Sequence, residues 1–244
     1  MQVGKFDTIL FEILLVLFWW ISRIMLPKQQ ILQARSVMKR LCFGGSFNPI
    51  HHGHLLIARA VAEAQEFDRV VLIPSAEPPH KPDRADLAPP KHRLAMCRLA
   101  VEASADSADL FEVCDIELGR HGPSYTIDTA RILTRQGLGP VYWLIGGDTV
   151  PQLPTWQEPQ ALLREVHFIT IDRPGSLIVW QALAPEYQAL QAGVVQAPLI
   201  EISATDIRRR VATGRSIDYL TPQPVVSYIR AHGLYQPGAV VQPA

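Results

Sequence analysis

A glycine-rich segment with three histidines, GGSFNPIHHGH, runs from Gly44 to His54 and has the residue types that bind phosphate. Its two leading glycines let the backbone turn sharply and approach a ligand closely. His51 and His54 flank Gly53 where a helical pattern begins, and the N-terminus of a helix offers unpaired N–H groups to an anion. Two imidazoles beside that position can donate hydrogen bonds to phosphate oxygens. The segment therefore indicates a site for a nucleotide phosphate chain.

Two other interpretations of this segment are a metal-binding pair and a pair of solvated histidines. Zinc sites need three or four protein ligands, and the sequence places no third ligand at a suitable spacing, so we predict no metal site built by the chain. The sequence does not match two other common nucleotide-binding patterns. The sequence has no G-x-x-x-x-G-K-[ST], and Gly137-x-Gly139 lacks the third glycine and precedes a strand pattern.

A second candidate phosphate site is the segment ISATDIRR, which begins at Ile202. Ser203 or Thr205 can cap a helix there, and Arg208 could then reach a triphosphate. By itself this segment is more typical of an ordinary basic helix with an N-terminal cap. Its presence in the same chain as the histidine segment favours phosphate binding.

A parallel sheet is the scaffold that the chain predicts for these segments. Apolar, β-branched runs bounded by glycine or proline alternate with helical periodicity from Met38 onward. The predicted strands cover 40–44, 69–74, 110–113, 141–145, 166–171 and 199–202, and the predicted helices cover 53–67, 91–103, 125–136, 159–164, 205–213 and 225–232. This alternation is typical of an α/β fold with helices on both faces of the sheet, where ligands bind at the carboxyl ends of the strands. The proline-rich loop 75–90 is long enough to be functional.

The composition excludes several classes of protein. The 244 residues include 23 basic and 23 acidic side chains, and 48% of the residues are hydrophobic. That balance excludes a disordered chain and argues against a nucleic-acid partner, which would require a basic excess. The three cysteines, Cys42, Cys97 and Cys114, are too widely spaced for a zinc ribbon or a disulfide framework, which favours a reducing cytoplasm.

The first 37 residues differ in character from the rest. Ile13 to Ile21 is an unbroken apolar run of nine residues, shorter than the roughly 20 that a spanning helix needs. The segment could be a membrane-associated anchor, a loosely held helix, or sequence outside the mature protein. Because Met38 stands directly before the first strand pattern, we expect translation to start there, with a globular domain over 38–235 and a flexible tail over 236–244.

The segment from Gly45 to His54 fits the pattern G-x-F-x-P-x-H-x-G-H, and on it the chain resembles the nucleotidyltransferase superfamily, which has a Rossmann-like fold. Further matching segments are Pro78–Lys81, Ser124–Thr126, Asp128–Thr129, Gly146–Asp148, Pro154–Trp156, Ile202–Arg208, Tyr228–Ile229 and Gly233–Tyr235. Together and in this order they resemble the bacterial nicotinate mononucleotide adenylyltransferases, from about Met38 to Tyr235. Asn48 stands where that family often has aspartate, and Ala204 where many relatives have serine.

This resemblance implies transfer of AMP from ATP to nicotinate mononucleotide, with pyrophosphate as the leaving group, in cytoplasmic NAD biosynthesis. The acceptor phosphate is already a nucleophile, so catalysis would consist of positioning and electrostatic stabilisation. Mg²⁺ would arrive with ATP, because Asn48 lacks the charge that could hold it. The partners would be these two small molecules, with no nucleic acid and no membrane. The sequence leaves open whether the chain forms a homo-oligomer.

The resemblance also implies roles for particular residues. The ATP-binding residues would be Gly44, Gly45, Ser46, Phe47, His51, His54, Ser203, Thr205 and Arg208, and the catalytic ones His51, His54 and Arg208, with His54 stabilising the transition state. The acceptor-binding residues would be Lys81, Thr126, Ile127, Asp148, Trp156 and Gln157. Among these, Trp156 would stack on the pyridine ring, Asp148 would bind the ribose, and Lys81 would neutralise phosphate. A core tryptophan, a helix cap and a solvated lysine stay open as alternatives for these three.

Two rival functions remain open. One is an adenylyltransferase that prefers nicotinamide mononucleotide or another phosphorylated acceptor. The other is a non-catalytic nucleotide-binding protein attached to a membrane through its apolar N-terminal run. His51, His54 and Arg208 are all present, which argues against a loss of catalysis.

Overall fold

The computed structural model describes residues 38–79, 86–103, 105–172 and 178–237, and those from 39 onward belong to one compact unit. The predicted Lys81 lies outside the described residues, as do the segment 1–37 and all of the predicted tail except residues 236 and 237. No helix in the described ranges is long and apolar enough to cross a membrane.

A six-stranded sheet forms the centre of the described structure, and every neighbouring pair of strands in it is parallel. The strands are β1 (Arg40–Gly45), β2 (Arg69–Pro74), β3 (Phe111–Val113), β4 (Val141–Gly146), β5 (Val166–Asp172) and β6 (Val194–Gln196). Their order across the sheet is β3-β2-β1-β4-β5-β6. The direction of winding therefore reverses between β1 and β4, and in such sheets ligands bind at the carboxyl ends of the strands that meet at this point.

Eight α-helices accompany the sheet in the described ranges. They are α1 (His52–Ala64), α2 (Pro90–Glu102), α3 (Ala105–Leu110), α4 (Thr126–Arg135), α5 (Pro159–Glu165), α6 (Pro185–Gln188), α7 (Ala204–Ala212) and α8 (Gln223–Ala231). Three 3₁₀ segments cover Gly147–Thr155, Trp180–Ala182 and Ala189–Gly193. The 3₁₀ segment at 147–155 follows β4 directly and leads the chain across the carboxyl edge of the sheet.

Two hydrophobic clusters sandwich the sheet. Neighbouring strand residues alternate between them, so that Leu41 belongs to one cluster and Cys42 to the other. The first cluster includes residues of α1, α2, α7 and α8, and the second includes residues of α4 and α5. This arrangement confirms the predicted α/β fold with helices on both faces of a parallel sheet.

Most predicted elements are confirmed within three residues of their bounds, but the strand predicted over 199–202 is wrong. The edge strand is β6, which pairs with β5 through Thr170 to Asp172. A Cβ on Gly193 would lie 2.6 Å from the carbonyl oxygen of Phe168, so glycine permits the close approach at which pairing begins. Pro198 has no N–H for a ladder and precedes the apolar residues that suggested a strand. The short helix α3 was not predicted at all.

Candidate active site

A cavity of about 670 Å³ opens at the carboxyl ends of β1 and β4, where the winding of the sheet reverses. One wall is formed by the end of β1 and the residues after it, Phe43, Gly44, Gly45 and Ser46. Asp148, Trp156 and Gln157, which follow β4, also line the cavity, as do Ser75, Pro78, Pro79, Glu117, Tyr125 and Thr126. The structure thus brings part of each predicted binding region to one cavity. Within the described ranges, the predicted residues that are not among those lining it are Phe47, His51, His54, Ile127, Ser203, Thr205 and Arg208.

Gly44 is required by the packing of β1 against β4. A Cβ at this position would lie 2.4 Å from the ring of Trp143, which is far inside contact distance. Trp143 is itself buried and belongs to the core beneath the cavity. The glycine therefore lets the backbone at the end of β1 form the cavity wall directly.

His51 and His54 are paired at the N-terminus of α1. The backbone N–H of His51 donates to Nδ1 of His54 at 3.2 Å, and the two rings stack with their centroids 3.7 Å apart. Because Nδ1 of His54 accepts this hydrogen bond, the proton of its neutral ring lies on Nε2. Nε2 is thus the atom of His54 that can donate to a phosphate oxygen. The His52 N–H donates to the carbonyl of Leu220, which fixes the start of the helix.

Phe47 supports this histidine pair. Its φ of 42° is in the left-handed region, which a bulky residue occupies only when the surrounding structure holds it there. Its buried ring contacts His54 edge-on at 5.2 Å between centroids and Phe43 at 5.5 Å. Phe43 lines the cavity and also contacts the ring of His54. The aromatic pair therefore connects the histidines to the cavity wall.

Arg208 lies on α7 and is buried, with its guanidinium bonded to the chain itself. Its Nη1 donates to the carbonyl of Asn48 at 2.8 Å, and its Nε donates to Oδ2 of Asp86 at 2.7 Å. Its Nη2 donates to Oγ1 of Thr205 at 3.2 Å. Ser203 is the N-cap of α7, since its Oγ accepts from the N–H of Asp206, and this predicted cap is confirmed.

Asn48 is buried, and its amide group is used within the protein. Its Nδ2 donates to the carbonyl of Asp86, and its Oδ1 accepts from the N–H of Ala88 and from the hydroxyl of Tyr235. The Tyr235 contact joins the loop after β1 to a residue 187 positions later in the chain. The buried side chain of Asn48 therefore links the loop after β1 to residues 86–88 and to Tyr235.

The predicted acceptor residues differ in their placement. Thr126 and the preceding residue line the cavity at the start of α4, whereas the side chain of Ile127 is fully buried in the core. Trp156 is half-buried and packs edge-on against Phe168 at 6.4 Å between centroids. Asp148 is exposed at the cavity edge, and its carboxylate folds back over Gly146, where a Cβ would lie 2.4 Å from Oδ1.

Comparison with known proteins shows which family has this sequence. Residues 42–210 match the family model described as cytidylyltransferase-like. A probable nicotinate-nucleotide adenylyltransferase from Roseiflexus sp. (strain RS-1) is 47% identical over 195 residues, which cover 79% of this chain and 96% of that protein. A protein with the same name from Thermomicrobium roseum is 39% identical over 210 residues, covering 84% of this chain and 96% of that protein. The chain belongs to the nicotinate-nucleotide adenylyltransferase family.

Solved structures with this family's fold agree. The nicotinic acid mononucleotide adenylyltransferase of Plasmodium falciparum, crystallised with NaAD, superposes with a TM-score of 0.62 at 21% identity, covering 81% of this chain and 97% of that one. A putative nicotinate-nucleotide adenylyltransferase from Vibrio parahaemolyticus superposes with a TM-score of 0.58 at 17% identity, covering 83% of this chain and 98% of that one. At these identities the likeness establishes the Rossmann-like nucleotidyltransferase fold.

In this member of the adenylyltransferase family, sequence reasoning missed Arg93, which is fully buried on α2. Its Nε donates to the carbonyl of Ala88, its Nη1 to that of Ser46, and its Nη2 to that of Ala76, all within 2.9 Å. These carbonyls belong to three separate segments around the cavity. The signal was available, because Arg93 shares the i, i+3, i+4 spacing of the apolar face formed with Met96 and Cys97.

Glu117 is a second residue that sequence reasoning missed. It is a buried carboxyl group that lines the cavity and accepts a hydrogen bond from Oγ1 of Thr129 at 2.7 Å. Burial raises the pKa of Glu117, although hydrogen bonds from Thr129 and Ser124 act in the opposite direction. Ser124 Oγ in turn accepts from the N–H of Ala76. The carboxyl group thus anchors the segment before α4 to the cavity floor.

Glu117→Gln is expected to change the pH dependence of stability. The folded chain holds the Glu117 proton more tightly than the unfolded chain does. This group therefore adds stability below pH 4.5, its usual pKa. That added stability is lost as the pH rises through the raised pKa of the folded state. The variant should therefore lose less of its free energy of unfolding than the unmodified chain between pH 4.5 and neutral pH. Urea unfolding at a series of pH values measures this difference, and identical pH profiles would contradict it.

Proposed function

We propose that this chain transfers AMP from ATP to nicotinate mononucleotide, forming nicotinic acid adenine dinucleotide and pyrophosphate in NAD biosynthesis. The observation that carries the proposal is one cavity lined both by the glycine-rich loop after β1 and by the aromatic side chain of Trp156. Phe43, which also lines it, contacts His54 at the N-terminus of α1. Family membership supports the same reaction, since the relatives are named for it and the Plasmodium protein was crystallised with NaAD.

The proposed chemistry is an in-line displacement at the α-phosphorus of ATP. A phosphate oxygen of the mononucleotide forms the new P–O bond, and the bond to the bridging oxygen of pyrophosphate breaks. No general base is needed, because the attacking oxygen already carries negative charge. The task for the protein is to bring two anions together and to stabilise the charge that moves onto the α-phosphoryl and leaving groups.

We assign this stabilisation to His51 and His54 together with the N-terminus of α1. The proton on Nε2 of His54 can be donated to a phosphate oxygen in the transition state, and the helix N-terminus adds favourable electrostatics for an anion. Gly44, Gly45, Ser46 and Phe47 would contribute backbone contacts to ATP, and Ser203 and Thr205 would contribute from α7. These roles are proposals supported by their positions beside the cavity or at the start of α7.

The role proposed for Arg208 is more specific than the sequence suggested. Its bond to the Asn48 carbonyl supports a role in holding the loop after β1. To contact the triphosphate, Arg208 would exchange the Asp86 carboxylate for a phosphate oxygen. The Asp86 carboxylate and a phosphate group are both anionic, and both can accept two hydrogen bonds from a guanidinium. Arg208 would therefore remain paired with a negative charge after the exchange.

The acceptor is proposed to bind to the part of the cavity lined by the residues after β4 and at the start of α4. Trp156 supplies a flat face for the pyridine ring, and the backbone N–H groups at the start of α4, around Thr126 and Ile127, suit the nicotinate carboxylate. Asp148 is placed at the cavity edge to bind ribose hydroxyls, and Gln157 lines the same part of the cavity. Lys81 stays a prediction.

Mg²⁺ is proposed to enter with ATP rather than to be held by a cage of protein ligands. Within the described residues, no three histidine, cysteine, aspartate or glutamate side chains converge on one point. The Asn48 oxygen that replaces a carboxylate is already used by Ala88 and Tyr235. When bound to the phosphates, Mg²⁺ would offset their charge. A globular domain over 38–235 and a cytoplasmic location stay predictions.

The test is pyrophosphate release by the full chain with ATP and Mg²⁺, with nicotinate and nicotinamide mononucleotide supplied separately. We expect kcat/KM to favour the nicotinate form by roughly tenfold or more, because a helix N-terminus favours a carboxylate over a neutral amide. Equal use of both would support an adenylyltransferase without this selectivity and would move the carboxylate contacts elsewhere. No release with either, from a folded chain that binds ATP, would contradict the proposal.

A further inference from the structure

We propose that Arg131 is a positioning residue for the acceptor nucleotide, which it serves by clamping the turn that carries Trp156 and Gln157. The inference rests on the proposed function, because it concerns the site of the same acceptor. Arg131 lies on α4, donates to a glutamate at each end of α5, and is not among the residues that line the cavity. Its effect would therefore act through the backbone of the turn.

The clamp consists of four hydrogen bonds from one guanidinium. Nη1 and Nη2 of Arg131 donate to the two carboxylate oxygens of Glu158 at 2.9 and 2.7 Å. Nε and Nη2 donate to the two carboxylate oxygens of Glu165 at 3.0 Å each. Each carboxylate thus accepts two hydrogen bonds from the planar guanidinium of Arg131. This bidentate arrangement fixes the geometry of an ion pair more strictly than a single hydrogen bond does. The other exposed ion pairs of arginine in the described ranges are single contacts, such as Arg230 with Asp218.

The backbone of Glu158 gives independent evidence that this position is held. Glu158 has φ 49° and ψ 59°, the left-handed conformation that glycine and asparagine adopt readily and glutamate does not. It immediately follows Gln157 and is the N-cap of α5. A glutamate persists in this conformation when the surrounding structure over-determines it, and the two bonds from Arg131 supply that constraint. The same ion pairing lowers the pKa of Glu158.

The clamp joins two segments that line the cavity. Thr126, the first residue of α4, lines the cavity, and so do Trp156 and Gln157 from the turn before α5. Arg131 is on the same helix as Thr126, five residues further along, and it holds the residue next to Gln157. Fixing Glu158 therefore fixes the distance between the proposed carboxylate site and the proposed stacking face. Loss of the clamp should loosen binding of the acceptor while leaving the ATP end of the cavity unchanged.

The experiment is steady-state kinetics of the full chain and its Arg131→Ala variant, with each substrate varied at saturating concentrations of the other. We expect KM for nicotinate mononucleotide to rise roughly fivefold. This is the change in affinity that corresponds to losing an exposed ion pair at the upper end of the usual range of strength. KM for ATP and kcat should stay within about twofold. Arg131→Lys keeps the charge without the fork and should rescue only part of the affinity.

Two further variants separate positioning from simple structural support. Glu158→Gly removes the clamp but suits the left-handed backbone, so it should retain thermal stability and still raise the acceptor KM. Glu165→Gln leaves the Glu158 fork intact and should have a smaller effect on KM. Arg230→Ala breaks an exposed ion pair on α8 and serves as the matched control, with unchanged kinetics expected.

Three outcomes overturn the inference. The first is an acceptor KM that stays unchanged in both Arg131→Ala and Glu158→Gly, whether or not their melting temperatures fall. The second is an equal rise in KM for both substrates. The third is an unmodified chain that folds but does not use nicotinate mononucleotide, which would overturn the proposed function as well. The first two leave the unmodified enzyme active, so they contradict the role of Arg131 alone.

Discussion

Replacing His54 with alanine is expected to reduce kcat by on the order of a hundredfold or more, the effect typical of losing one transition-state donor. The Nε2 proton of His54 is the proposed donor to the phosphoryl group, and its Nδ1 accepts from the His51 N–H, which fixes the ring. KM for either substrate should change much less than kcat, because the lost interaction is strongest in the transition state. Pyrophosphate release at saturating substrates measures the loss. Near-normal turnover would contradict the role assigned to His54.

Alanine also removes a helix cap, so the kinetic loss must be separated from a loss of stability. The bond from the His51 N–H to the side chain three residues later is the second half of a capping box, in which glutamine or glutamate usually stands. His54→Gln is therefore the matched control. It should restore about 1 kcal/mol of stability relative to the alanine variant, and it should leave kcat low because glutamine lacks the imidazole.

Replacing Arg93 with methionine is expected to cause the largest loss of stability, about 3 kcal/mol or more. The substitution keeps a long side chain but leaves the carbonyls of Ala88, Ser46 and Ala76 without their donor. Burial lowers the pKa of Arg93, but a guanidinium is basic enough to stay charged at neutral pH. Because Ser46 belongs to the loop at the cavity, turnover should fall together with stability.

Urea unfolding followed by circular dichroism measures this effect. Arg98→Ala, on the same helix, is the matched control, since Arg98 makes one exposed contact with Asp115 and should change stability by no more than about 0.5 kcal/mol. Arg93→Lys should give an intermediate loss, because an ammonium group cannot reach three carbonyls in the geometry of the fork. An equal effect of the Arg93 and Arg98 substitutions would show that the three carbonyls find other donors.

The parts of the fold that could be predicted are those determined by local pattern. The strand RVVLIP and the helix after Gly53 follow from apolar runs and periodicity, and their alternation gives the parallel sheet. Edge strand β6 could not be predicted, because its position depends on how closely Gly193 approaches a carbonyl of β5. The position of the edge strand is therefore set by its pairing with β5, which lies more than 20 residues earlier in the chain, and not by the strand propensity of residues 199–202.

The candidate site divides in the same way. The histidine segment and the Ser203 cap could be predicted because their residues are neighbours in sequence and form hydrogen bonds locally. The bonds of Arg208 to Asn48 and Asp86 span 160 and 122 positions, and no local pattern encodes them. The helical spacing of Arg93 with Met96 and Cys97 is compatible with the apolar face, but no local pattern gives its bonds to the carbonyls of Ser46 and Ala76. Long-range hydrogen bonds are therefore the part of this site that sequence patterns leave unspecified.

The hydrogen bond between Tyr235 and Asn48 also has a consequence for the order in which the molecule is made. A ribosome releases the chain from its N-terminus, so the loop after β1 emerges 187 residues before the hydroxyl that completes it. The sheet can assemble around β1 and β4 during synthesis, but Asn48 gains its final partner only after α8 has left the exit tunnel. A product truncated before Tyr235 would contain every strand and both histidines, yet its nucleotide loop would lack this bond. The hydrogen bonding of Asn48 is thus completed late, after all six strands of the described sheet have been translated.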